Sequence, residues 1–597
     1  MADTKLAGVN KAIEATQFGG MDYLSESAGL YRSSDSVNMI SDGKGNVVKR
    51  SGYRLRYQLS AGVLGMYTYK NMLLVHCGQF MAAFSHGFTV AHTLSMEMAL
   101  NKSSAFCYND KIYILDGENF WQYDGVTFTN MKNIAYHALT AYDRSWNGQE
   151  NKKGEKPNLL CDKRKNLFYI HPTIMNYHLD SGNLKNGSVK INLVGEDGTE
   201  TAVASNRFTV DYVTGSIVLI TPQGVSGSDQ LAVYFEVEHA EPSKIIKCRF
   251  GSGFSGFNNG YAFLSGNPAR PNIEYCCAIN DITYFPEYSY NEVGDAQAIL
   301  GYMDLQNYNI ILKAGGSGQV RHYIRATSEQ APIEYPFVVK QAAFGPGGIS
   351  KSGFCTAFDR PLYVSKQGII VVSSTNVDMH LAISNCSQLI NSKLCKEQLE
   401  DSRCIYHKGK IYVFLPGCVY VADTSMTYKG PSEHVQYEWY YWDNIISTAA
   451  VVYEDVLYFG DEQGNIFSFN NPGESNEFKD HTQPVRARWA TSFYDYEDAY
   501  NYKNLKSVLL KLMPASQSSV EIYGENQDLD SILLAPEHET MYSSPKAPKI
   551  ISVPIRENLV QFYKVTFYNH VVNQPFGIQG IKFIYSQGKK IRNGVII

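Results

Sequence analysis

The densest mix of carboxylates and aromatic rings in the chain is SFYDYEDAYNY, with Asp495, Glu497 and Asp498 set among tyrosines. Glycoside hydrolysis needs two carboxyl groups about 5–9.5 Å apart across a pocket. The same side chains also suit the polar, tyrosine-rich rim of a protein interface. The plainest reading is an exposed loop. The candidate site taken from it is a partner interface at Asp495, Tyr496, Glu497, Asp498 and Tyr500, with no residue assigned to catalysis. A second cluster, between Asn151 and Asn166, sets Lys152, Lys153, Lys156, Lys163, Arg164 and Lys165 against Glu155 and Asp162. This reads first as a solvated loop. Its candidate function is contact with DNA or an acidic partner through Lys152, Lys153, Lys163, Arg164 and Lys165.

Other chemistry is not spelled out. Gly251, Gly253 and Gly256 match GxGxxG, but a dinucleotide site needs a strand before the glycines and a helix after them. The following FNNGYAFLSGN reads as strand and turn. HExxH, GxSxG and P-loop lysine patterns are missing from the sequence. His76, His86 and His92 do not fall at i, i+4 on one face. The 11 cysteines form no CxxC pair, so zinc ligation is not expected. They read as reduced thiols packed like small hydrophobes, in a chain made in a reducing cytoplasm. No cofactor, no metal and no enzymatic activity are expected.

The elements that hold these residues are short. The 597 residues are 44% hydrophobic and only 19% charged, which excludes a mainly disordered chain. Tyr supplies 43 of the aromatics, against 29 Phe and 5 Trp. Lys+Arg is 53 and Asp+Glu 58, a net charge of −5, which is not the footprint of a whole-surface nucleic-acid wrapper. No apolar run is long enough for a membrane span, and Met1 to Gly20 does not read as a secretory leader. Helical patterning is confined to Ile390–Glu400 and Val9–Thr16. The rest is β-branched and aromatic runs broken by Gly, Asn and Asp.

One pattern recurs near Met66, Phe106, Pro361, Ile405 and Val452. An aromatic edge and a polar turn, such as Asn109-Asp110 or Lys408-Gly409, lead to an apolar strand, a Gly-containing turn and a second strand. Repeated hairpins of this kind build β-propeller blades, whose apolar faces are covered by neighbouring blades. The run YEWYYWDN reads as strand packing, with Trp439 and Tyr441 on one face and Tyr440 and Trp442 on the other. The expected fold is therefore all-β: a distorted β-propeller-like domain with an inserted β-sandwich module and a C-terminal β-sandwich. The expected boundaries are 1–138 for an N-terminal arm and first blades, 139–242 for the inserted module and 243–470 for the remaining blades. Residues 471–484 read as a linker and 485–597 as the C-terminal sandwich.

A family resemblance rests on the order of local signatures. FGGMDYLSES (Phe18 to Ser27) precedes SVNMISDGKGNVVKRSGYRL (Ser36 to Leu55). FNNGYAFLSGNPARPNIEYCCAINDITYFPE, GDAQAILGYMDLQNYNIILKAGG and FGPGGISKSGFCTAFDRPLYVSKQGIIVV follow. This order, from about 18 to 470, resembles tail nozzle proteins of short-tailed phages, also called packaged-DNA stabilization proteins.

The resemblance implies a virion tail protein assembled in the host cytoplasm. It implies a homo-oligomeric ring, usually of six copies, below the adaptor ring of the portal vertex. Packaged DNA would pass through the lumen, and tail fibres or tail tip proteins would dock outside. A mildly negative wall would not grip DNA phosphates. The alternatives are a propeller glycan-binding protein or glycoside hydrolase, motivated by Asp495–Tyr502, and a host-recognition module of a phage tail.

Overall fold

A computed structural model describes residues 10–590, apart from 25–28, 89–90, 148–151, 172, 221–229, 239–241, 255–259, 306–307, 316–319, 328–336, 359, 375–380 and 430–434. Nearly all regular structure is β. The loop Pro222–Asp229 and Gly256 lie outside the described residues. The chain divides into two units. The first comprises Met1–Leu73, Ser85–Val90 and Gly348–Ile597; the second comprises Leu74–Phe84 and Ala91–Gly347.

The recurring hairpins are four-stranded antiparallel meanders, each with the topology of a propeller blade. In the first unit one meander runs Phe354–Ala357, Arg360–Ser365, Gly368–Ser374, Leu381–Asn385, and the next runs Arg403–His407, Lys410–Leu415, Cys418–Lys429, Val435–Asp443. A third takes Ala449–Tyr453, Val456–Gly460 and Asn465–Phe469, and its fourth strand comes from the other end of the sequence, Tyr53–Gln58. The leading strands of these meanders lie side by side, and Val63–Tyr69 lies beside Ala449–Tyr453. In the second unit the leading strands Ser104–Tyr108, Phe250–Phe254 and Ile299–Leu305 are neighbours in the same way. This is the arrangement of propeller blades, each covering the next one's apolar face.

The tight turns explain why the hairpins recur. Asn109 and Asp110 have φ of 45° and 55°, Lys408 and Gly409 47° and 73°, Glu454 and Asp455 47° and 58°. Two successive left-handed residues make the type I′ turn whose twist matches a hairpin. The inserted module is a sandwich. One sheet includes Ala138–Arg144, Lys163–Tyr169, Gln230–Glu236 and Lys190–Val194; the other holds Asn176–His178, Ser216–Leu219 and Phe208–Asp211. Phe168, Tyr177, Ile191, Ile217 and Leu231 fill the space between them.

Two elements differ from the sequence expectation. Asn10–Ala15 is a strand, not a helix, and pairs along Gly577–Lys590 from Asn10↔Ser586 to Ala15↔Ile581. An open sheet edge overrides the weak helical preference of NKAIEA. Of Ile390–Glu400, only Asn391–Leu394 is α-helical.

The N-terminal arm is not a lead-in to the first blade. Met39–Ser41 and Val47–Lys49 join Gly577–Lys590, Asn501–Leu512 and Lys549–Val560 in one sheet of the C-terminal sandwich. Asp35–Val37 joins Ala487–Ala490, Tyr563–Asn569, Glu521–Asn526 and Ser531–Ala535 in the other. The stretch expected as a linker is also built in, since Lys479–Asp480 and Gln483–Pro484 extend the sheet that contains Tyr53–Gln58.

Burial in the second unit has a pH consequence. His322 is fully buried, and loss of solvation pulls its pKa from the ordinary 6.5 down to about 4. Unfolded His binds a proton that the folded ring refuses. Stability of this unit should therefore be full above about pH 6.5 and fall as pH drops towards 4. A His322→Gln variant followed by thermal melting across that range should show a shallower decline.

Candidate functional site

The signature residues Phe18, Gly19, Gly20, Lys49, Arg50 and Gly52 converge on one junction in the first unit. Phe18 is fully buried and meets Trp489 edge-on at 5.9 Å between ring centroids. Gly20 runs against the strand Val435–Asp443. A Cβ there would lie 2.4 Å from the Trp439 carbonyl oxygen and 2.6 Å from its nitrogen, so only glycine fits. The Gly20 N–H donates to Glu438 Oε2 at 2.7 Å. The Arg32 guanidinium closes on the same buried carboxylate, with Nη2 at 2.6 Å from Oε1, and lies 4.2 Å from the Tyr428 ring centroid. Gly20→Ala should cost about 1–3 kcal/mol, because the obstructing atoms are backbone. Thermal scanning of the purified variant checks this.

Arg50 is the centre of the junction and is buried completely. Its Nη1 and Nη2 donate to Asp480 Oδ1 and Oδ2, both at 2.7 Å. Nε donates to Asn38 Oδ1 at 2.8 Å, and the remaining donors reach the Ser51 and Asp443 carbonyls at 3.1 Å. Every donor of the guanidinium fork is thus used, as burial of the charge demands. Asn38 sits at φ 54° and also donates to Asp443 Oδ1. A Cβ on Gly52 would fall 1.9 Å from the Lys479 carbonyl oxygen. The arm, the strand Val435–Asp443, the 471–484 stretch and the C-terminal sandwich are therefore interlocked at one place. Asp480 and Glu438 carry no mark of this role in the sequence: one stands in a polar stretch, the other in an aromatic run.

Strand alternation in YEWYYWDN holds, and four of its five rings are buried, all but Tyr441. Trp439 Nε1 donates to the Cys386 carbonyl at 2.9 Å, Tyr440 to Gly19 at 3.1 Å and Trp442 Nε1 to Met39 at 3.0 Å. These rings are packing residues, and Tyr440 and Trp442 also tether the arm.

The acidic cluster divides. Tyr496 is not a rim residue: it is 2% exposed, at φ 56°, and packs on Phe583, Tyr585 and Tyr494. The left-handed backbone turns the ring into the sandwich core and leaves the flanking acids outside. Asp495 Oδ1 accepts from the Glu497 N–H at 3.0 Å. Asp498 Oδ2 accepts from Asn501 at 2.6 Å and Gln587 at 2.9 Å, and these bonds, that to Asn501 foremost, lower its pKa. Glu497 is exposed, and Tyr500 is 81% exposed. The carboxylates here order a turn.

The basic stretch is not a loop throughout. Lys163–Tyr169 is an internal strand pairing with Gln230–Glu236 on one side and Ala138–Arg144 on the other. Lys163 donates to the Lys132 carbonyl at 3.1 Å, Arg164 to Ser181 Oγ at 2.5 Å, and Lys165 pairs with Glu200 at 2.8 Å. Lys152 pairs with Asp143 at 2.8 Å, while Lys153 is exposed on the short edge strand Lys152–Lys153. Most of this charge is spent inside the module.

Gly251 and Gly253 lie within the strand Phe250–Phe254, where a Cβ would meet the Phe106 ring at 2.2 Å and the Cys107 carbonyl at 2.6 Å. They allow two leading strands to approach, and the next described element, Tyr261–Ser265, is a strand, where a dinucleotide site requires a helix. His76 is held by Ser103 and the Gly78 carbonyl, and His86 by Glu454. Among the described residues no group of three His, Cys, Asp or Glu is placed to hold a metal ion, and no helix is long and apolar enough to cross a membrane.

No family model matches the chain, and no curated protein matches it. Among solved structures it is similar to BamB from Moraxella catarrhalis, at 8% identity and TM-score 0.30 over 77% of this chain and 99% of that one. It is also similar to virginiamycin B lyase from Staphylococcus aureus, at 6% identity and TM-score 0.32 over 78% and 100%. The AfRom2 CNH domain aligns at 7% identity and TM-score 0.32 over 70% and 99%. Likenesses this distant say nothing about what this chain binds or does.

Proposed function

We propose that the chain is a structural virion protein: one subunit of a tail nozzle ring that extends the DNA conduit below the portal and adaptor, retains packaged DNA and supports ejection. One observation carries the reading. The FGG and KRxG signatures on which the family resemblance opens occupy closely constrained positions of the first unit, where Gly20 and Gly52 admit no side chain and Arg50 is fully buried and paired. A short motif that is required by a long-range interlock is a more specific mark than the same letters in a surface loop. The net charge of −5 also fits a wall along which DNA slides, since few phosphate contacts would form.

Native mass spectrometry of the purified chain, alone and mixed with the portal–adaptor complex of its phage, tests the proposal. A closed homo-oligomer that joins the complex is expected. A monomer that never joins it would contradict the reading.

A further inference from the structure

Lys49 stands out among the buried lysines. Lys313 and Lys503 direct their ammonium groups at backbone carbonyls, and Lys313 also meets Asp295 Oδ1 at 3.0 Å; Lys49 has a carbonyl, that of Val571, only at 3.4 Å. Lys49, only 2% exposed, places Nζ 2.8 Å from the side-chain amide oxygen of Asn569, which is equally buried. The two residues come from opposite sheets of the C-terminal sandwich: Lys49 ends the strand Val47–Lys49 and Asn569 ends Tyr563–Asn569. They are 520 residues apart in sequence.

From this geometry we infer that Lys49 and Asn569 form an intramolecular isopeptide bond, a covalent cross-link between the arm and the C-terminal sandwich. The surroundings supply what the reaction needs. The amine must be neutral to attack. Burial, reinforced by the neighbouring Arg50 charge and only partly opposed by Asp480, draws its pKa down to about 7. The amide's orientation is fixed: Asn569 Nδ2 donates to the Ser519 carbonyl at 2.9 Å and to Gln574 Oε1 at 3.2 Å, so Oδ1 is the atom turned to the lysine. Ser519 Oγ in turn bonds Gln574 at 2.9 Å and Glu537 at 3.0 Å, which fixes that cradle. Holding amine and amide in contact replaces a bimolecular encounter by a unimolecular step.

The step balances without any other reactant. The Nζ lone pair attacks Cγ of Asn569 and a Nζ–Cγ bond forms. One proton passes from Nζ to Nδ2, the Cγ–Nδ2 bond breaks, and ammonia leaves. A primary amine and a primary amide become one secondary amide. The inference stands apart from the ring reading, since it concerns a bond within a single chain.

The test is the intact mass of the full-length protein under denaturing conditions, followed by a tryptic peptide map. The expected result is a mass below the sequence mass by one ammonia, with a branched peptide joining the Lys49 and Asn569 segments. Lys49→Arg, which keeps the cation but cannot form the bond, should restore the full mass and abolish the branched peptide. Unmodified linear peptides carrying Lys49 and Asn569 in the folded wild-type protein would overturn the inference. So would a branched peptide that persists in the Lys49→Arg variant.

Discussion

Asp480→Ala should cost about 3–5 kcal/mol of stability, because it strands the Arg50 charge in a site without solvent. The wild-type pair is satisfied by two 2.7 Å contacts and by Asn38, Ser51 and Asp443 around the remaining donors. Removing the carboxylate leaves those neutral acceptors, which cannot balance the charge. Replacing both partners with apolar residues, Arg50→Met with Asp480→Leu, should recover much of the loss, since desolvation of the pair offsets most of its attraction. Urea unfolding followed by tryptophan fluorescence measures both variants. An Asp480→Ala protein as stable as wild type would remove Arg50 from the centre of the junction.

Phe18→Ala is the second large effect, again about 3–5 kcal/mol, from the lost burial of a ring and the cavity it leaves. Phe18 is fully buried with Trp489, Met39, Val47 and Val508 in the core that the arm shares with the C-terminal sandwich. The loss should be local first. Limited proteolysis should cut within the arm before the C-terminal sandwich, because Phe18 anchors the stretch that carries Gly19 and Gly20. Equal protection of the arm in variant and wild type would show that the glycine contacts hold it unaided.

The blades were legible because the signal is local. Asn109-Asp110 and Lys408-Gly409 stand where left-handed turn residues must stand, and the flanking apolar runs have strand length. What the sequence hides is long-range pairing. Nothing in DSVNMIS indicates that its strands join sheets formed by residues beyond 485, or that Tyr53–Gln58 completes a blade begun at Ala449. Such partners are chosen by tertiary contact, not by residues close in sequence. The same limit governs the candidate residues. Tyr496 reads as one more tyrosine on an acidic rim, yet a single left-handed φ sends it into the core. Lys163, Arg164 and Lys165 read as a basic loop, but the strand they open is internal to a sheet and their charges find acceptors at the Lys132 carbonyl, Ser181 and Glu200.

Averaged electron micrographs of the intact particle would decide whether the chain is, as proposed, a ring subunit of a phage tail. A closed ring of this chain is expected on the tail axis below the adaptor, enclosing the DNA path and lost from particles assembled without it. Density for the chain away from that axis, or complete tails assembled in its absence, would contradict it.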